Sequence, residues 1–214
     1  MQFQKMLSFF VDIFYIILLL FSKPLKDSNI KQNPLQNVVL IPGFHATPKM
    51  FKSLKKHLEK NSYKVYLPYF QRQHSDINKM TSQLKAYLKK NKIKNCILIG
   101  HSLGGIIALN FAYKNQNAIK IITIGTPLKG ATLEKFTPNI TSIKQLNPNK
   151  QLIKQLSNIK IKQFYSIASS YDEIVPFNST KHKSAEHITI NSIGHLRLLF
   201  DKKVFNTITK IIKT

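Results

Sequence analysis

The chain has 214 residues, 43% of them hydrophobic, with 33 Lys+Arg against 9 Asp+Glu and a formal net charge of +24. Length and apolar content suit one domain with a sizeable core and exclude wholesale disorder. The lone cysteine, Cys96, excludes an intramolecular disulfide framework and any Cys-rich metal site, and leaves the redox compartment open.

All the basic residues except Arg72 and Arg197 are lysine, scattered along the chain with no nucleic-acid motif beside them. Phosphate and base reading draws on arginine forks, so specific nucleic-acid recognition is not expected. Lys, Asn and Ile are abundant together and share A/T-rich codons, so codon bias is one source of the charge. Attraction to an anionic membrane surface is the other.

Residues 6–21 read MLSFFVDIFYIILLLF, sixteen residues broken only by Asp12. As a helix this run would span about 24 Å, slightly short of a bilayer core. Lys5 precedes it, and no small-x-small cleavage site follows. It reads first as an uncleaved membrane anchor, second as a cleaved export signal, and third as an extra helix packed on the domain. The protein is accordingly expected at a membrane, or exported to the periplasm or beyond. Residues 1–36 form this segment and a linker, and 37–214 the folded domain.

From Asn37 the chain alternates short apolar runs with helical patterns. Val38–Ile41 reads as a strand ended by Pro42-Gly43, and Thr47 as the N-cap of a helix with Pro48 in its first turn, running to about Lys60. Tyr63–Leu67 is the second strand. Ser75 caps a helix to about Asn91, with Ile77, Met80, Leu84, Tyr87 and Leu88 on one face. Asn95–Ile99 is the third strand, wholly apolar and therefore buried on both faces, with Cys96 as a small core residue. An apolar helix, Leu103–Tyr113, comes next, then a fourth strand, Ile119–Ile124, ended by Gly125-Thr126-Pro127. Lys162–Ala168 and His187–Asn191 are the fifth and sixth strands, and Lys202–Ile212 is a closing helix. The pattern predicts an α/β fold of about six mostly parallel strands with helices on both faces. In such a sheet chemistry gathers at the carboxyl ends of the strands.

Gly100-His101-Ser102-Leu103-Gly104 lies between the third strand and the apolar helix. A serine hydroxyl needs exposure and a base to act as a nucleophile, and a sharp strand-to-helix turn with glycines two residues either side supplies the exposure. With only 7 glycines in the chain, a chance match is roughly a 1–2% event. Ser102 is therefore the predicted nucleophile.

With its following glycine, the motif Gly-His-Ser-Leu-Gly-Gly resembles that of the α/β-hydrolase lipases and esterases, and the resemblance extends from about Asn37 to the C-terminus. It implies a base after the last strand, where His195 stands; His187 falls at the start of that strand, on the wrong side of the sheet. It implies an acid after the penultimate strand, where Asp172, in Asp-Glu-Ile-Val-Pro, resembles the family's Asp-x-x-Val-Pro pattern; Glu173 is its rival. The order Ser, Asp, His is that of this fold. The implied oxyanion donors are the backbone amides of Leu103 and Phe44, although Pro42 stands where the family often has histidine. Thr126 and Pro127, in a segment resembling the family's Thr-Pro-x-x-Gly loop, and His101 beside the nucleophile are implied to line the substrate pocket.

No metal-ligand spacing and no phosphate-cradling loop is present, so no metal and no cofactor is expected. Residues of about 130–158 mix apolar side chains, among them Leu133, Phe136, Ile143 and Leu146, with lysines, and read as a short lid. Together these features predict a serine hydrolase acting on a lipid or small-molecule ester. An acyltransferase or thioesterase with the same triad, or a non-catalytic membrane-associated binding protein, are the alternatives. The oligomeric state is left open.

Overall fold

The computed structural model describes residues 25–28, 34–70, 75–115, 118–133 and 139–214. The predicted N-terminal apolar helix lies outside the described residues, as does Phe136 of the predicted lid. Among the described residues no helix is long and apolar enough to cross a membrane.

Six strands form one sheet: β1 (Asn37–Ile41), β2 (Lys64–Tyr66), β3 (Cys96–His101), β4 (Ala118–Ile124), β5 (Phe164–Tyr171) and β6 (Glu186–Ile193). Their order is β2-β1-β3-β4-β5-β6 and every pairing is parallel. Between them run α1 (Lys52–Lys60), α2 (Ile77–Lys90), α3 (Leu103–Asn115), α4 (Thr141–Gln145) and α5 (Gln151–Leu156), and α6 (Lys202–Lys213) closes the chain.

Successive strand residues point to opposite faces, so each strand feeds two cores. Val39, Ile41, Leu98 and Ile121 pack with Met80 and Leu84 of α2 and Ile106 of α3. Val38, Leu40, Ile97, Ile99 and Ile122 pack with Leu54 of α1 and Val204 and Ile208 of α6. Burial on both faces explains the continuous apolar runs in the sequence. The α3 helix is buried without interruption from Leu103 to Phe111 because it lies between the sheet and its neighbours.

Several local expectations are corrected. Asp76, not Ser75, caps α2: its carboxylate accepts from the Asn78 amide at 2.6 Å. Thr47 holds the N-cap position but makes no side-chain cap bond, and the helix begins as a 3-10 turn over Pro48–Phe51. Strand β3 runs two residues further than Ile99, through Gly100 and His101. Residues 25–28, read as linker, are fastened to the edge strand. Ser28 donates its amide to the Val65 carbonyl at 2.8 Å, and Asp27 accepts from the Leu67 amide at 2.7 Å and from the Tyr87 hydroxyl at 2.8 Å.

Two short helices, α4 and α5, occupy the segment read as a short lid. Ile143, Leu146, Ile153 and Leu156 all join the core packed on one face of the sheet, and Ile143 and Leu146 also border the cavity described below. Gln145 bolts α4 to the start of α2, accepting from the Ile77 amide at 2.8 Å and donating to Asp76 at 2.6 Å.

Candidate active site

Ser102 sits between the end of β3 and the start of α3 with φ 53, the left-handed region that a serine rarely adopts. The surroundings hold it there. Its amide donates to the Ile124 carbonyl at 2.9 Å, and its carbonyl accepts from the Gly105 amide and the Thr126 hydroxyl, both at 3.0 Å. Two glycines make the turn possible by close approach. A β-carbon on Gly100 would lie 2.4 Å from the Gly105 nitrogen, and one on Gly104 would lie 2.2 Å from the Ile41 carbonyl oxygen. Strand, turn and helix can meet only if neither residue has a side chain.

His195 follows β6 and Gly194, whose φ of 111 turns the chain back over the sheet. Its Nδ1 lies 2.7 Å from Oδ2 of Asp172, and the two side chains are only 4% and 3% exposed. The other carboxylate oxygen accepts the amides of Ile174 at 2.9 Å and Val175 at 2.8 Å. Burial by itself would raise the Asp172 pKa; the neighbouring His195 and those two amides outweigh it and hold the carboxyl below its ordinary value. Glu173 makes a different contact, accepting from the main-chain amide of His195 at 3.4 Å. His187 hydrogen-bonds Thr180 at 3.0 Å, at the opposite end of β6 from His195.

Ser102 and His195 line one cavity of about 530 Å³. Phe44 and Leu103, the expected amide donors, line it too. Leu103 is the first residue of α3, where an amide has no partner within the helix and the helix dipole favours negative charge. Its apolar lining comes from Met50, Leu133, Ile143, Leu146, Ile174 and Leu196. The loop after β1 and the 3-10 turn that follows it add polar lining through His45, Thr47 and Lys49.

Of the expected pocket residues, His101 borders the cavity but is only 2% exposed. Thr126 and Pro127 do not line it, which corrects the expectation: Thr126 is wholly buried and its hydroxyl is spent on the Ser102 carbonyl. Ile174 and Leu196 were missed, although each lies within two residues of Asp172 or His195. That adjacency was the signal that could have found them.

A family model described as "Alpha/beta hydrolase family" matches residues 37–182. Among solved structures, an esterase from Exiguobacterium antarcticum superposes with a TM-score of 0.68 at 18% identity, over 88% of this chain and 94% of that one. A structure from a study of carboxylesterases of Nitrososphaera gargenis gives 0.67 at 14% identity, over 88% and 93%. A bromoperoxidase from Bacillus anthracis gives 0.67 at 17% identity, over 84% and 92%. At these identities the likeness is one of fold. Among curated protein sequences, none matches the chain.

Proposed function

The chain belongs to the α/β hydrolase family, and from that premise we propose that it is a serine carboxylic-ester hydrolase acting on acyl esters of lipids. The observation that supports this most is the buried 2.7 Å Asp172–His195 hydrogen bond, with His195 bordering the same cavity as the strained Ser102.

In this reading Asp172 holds Nδ1 of His195, which leaves Nε2 as the nitrogen that takes the Ser102 proton. The serine oxygen attacks the ester carbonyl, and the amides of Leu103 and Phe44 receive the oxyanion. Collapse expels the alcohol, which takes the proton back from His195, and leaves an acyl group on Ser102. Water, deprotonated by the same imidazole, then releases the acid and restores the serine. Asp172 remains a carboxylate throughout, stabilising the imidazolium that forms in each half-reaction.

The apolar lining suits an acyl chain, and the polar lining at His45, Thr47 and Lys49 suits the alcohol side of the ester. The apolar run over 6–21 and the lysine excess favour work at an anionic lipid surface, a part of the reading that rests on sequence. The test is hydrolysis of chromogenic esters from acetyl to palmitoyl. Turnover that improves with chain length until the cavity is filled is expected. No turnover on any ester, with no reaction of a fluorophosphonate probe, overturns the reading. Ester formation on an added alcohol in preference to free acid would instead mark acyl transfer.

A further inference from the structure

His101 is the last residue of β3, paired in register with Ile124, so the sheet fixes its backbone. Its imidazole is buried between two loops that carry the other parts of the site. On one side Nε2 lies 3.3 Å from the main-chain oxygen of His195, and the two rings stand 4.6 Å apart at 46°. A carbonyl only accepts, so Nε2 must carry the hydrogen. On the other side Nδ1 is buried with no hydrogen-bond partner among the described residues. It abuts the loop that carries Phe44: a β-carbon built on Gly43 would lie 3.3 Å from Nδ1 and 3.1 Å from the His101 oxygen.

We propose that His101 is a positioning residue whose neutral imidazole ties the His195 loop to the nucleophile strand and seats the Gly43-Phe44 loop against it. One side chain then sets the mutual geometry of base, nucleophile and oxyanion donor. The inference rests on the serine-hydrolase reading above.

Two other roles fit the contacts less well. A second general base needs a lone pair open to substrate, whereas Nδ1 of His101 is buried beside Gly43. A plain filler would be apolar, because a buried acceptor without a partner carries a desolvation penalty. The charged groups that bear on His101 are His195 and Asp172; burial, reinforced by His195, pushes its pKa down to about 3. It therefore stays neutral while His195 takes up and returns its proton.

The test joins NMR of the wild-type chain to kinetics of two variants. With nitrogen-15-labelled histidine, the His101 ring is expected as the neutral Nε2–H tautomer from about pH 5 to 8. A protonated ring, or the Nδ1–H tautomer, would overturn the proposal. His101→Phe keeps a flat ring but loses the tie, and its kcat on the best wild-type ester is expected to fall about tenfold to a hundredfold with KM little changed. His101→Gln, whose amide can donate to the same carbonyl, is expected to recover most of that loss. Wild-type kcat in His101→Phe, or a raised KM with kcat intact, would overturn the proposal, the latter making His101 a wall of the pocket. Should His101→Phe not fold, the tautomer and His101→Gln decide, and a kcat as low in His101→Gln as in an alanine variant counts against the tie. A wild-type chain inert to fluorophosphonate would refute the serine-hydrolase reading itself, and is scored separately.

Discussion

Asp172 and Glu173 are adjacent carboxylates, and sequence alone leaves both open as the acid. Their contacts separate them: Asp172 meets the imidazole at 2.7 Å, whereas Glu173 meets the His195 main chain at 3.4 Å. Asp172→Asn is accordingly expected to lower kcat by about three to four orders of magnitude, and Glu173→Gln to cost less than about tenfold. Steady-state rates of the two purified variants check this, and the reverse ranking would move the acid to Glu173. The lowered pKa of Asp172 also has a consequence for stability. The folded state binds its proton less readily than the unfolded chain, so the stabilisation is full above the unfolded value of about 3.9. It is lost as pH falls below that value through the lower folded one. Urea unfolding across the acid range should show this loss in wild type and not in Asp172→Asn. At this scale a turn motif and chain order pick out Ser102, Asp172 and His195 in the sequence, and the fold pairs Asp172 with His195 and sets His195 and Ser102 on one cavity. Thr126 and Pro127 do not line that cavity, and a Thr-Pro after a strand does not reveal which way its side chains face. In the fold the threonine hydroxyl turns to the Ser102 carbonyl.

Strands and helices were legible from periodicity, and their ends were not. Ser75 and Asp76 are both good caps and stand side by side; Asp76 caps α2 because its carboxylate reaches both the Asn78 amide and Gln145. Gln145 lies 68 residues from Ile77 in sequence, so no local pattern announces their pairing. The pairing decides what the lid is. It anchors α4, and with it Ile143 and Leu146 at the cavity wall, to the N-terminus of α2. Gln145→Ala leaves the Ile77 amide without its side-chain acceptor and is expected to cost about 1–2 kcal/mol. Thermal unfolding would show the lowered Tm. If the wall depends on this bolt, KM for long-chain esters should rise more than KM for acetyl esters. Equal KM values at a lowered Tm would confine the bolt to a purely structural role.

Across the whole molecule the parallel sheet and its two apolar faces explain why the site lies where it does. Ser102, the loop carrying Phe44, Asp172 and His195 follow β3, β1, β5 and β6, all at the carboxyl ends of strands that run the same way. Parallel pairing puts those ends on one side of the sheet, so residues from Phe44 to His195 in sequence meet at one cavity. The alternation of strands and helices made this layout legible. The fastening of residues 25–28 to β2 was not legible, since Ser28 and Asp27 find their backbone partners at Val65 and Leu67, beyond α1 in the sequence. The proposed function stands or falls on Ser102 as the activated nucleophile of this assembly. Its most direct test is peptide mapping by mass spectrometry after reaction of wild type and Ser102→Ala with a fluorophosphonate. One adduct is expected, on the peptide holding Ser102, and none in the variant. An adduct of equal yield in Ser102→Ala, or one on another serine in wild type, would contradict it.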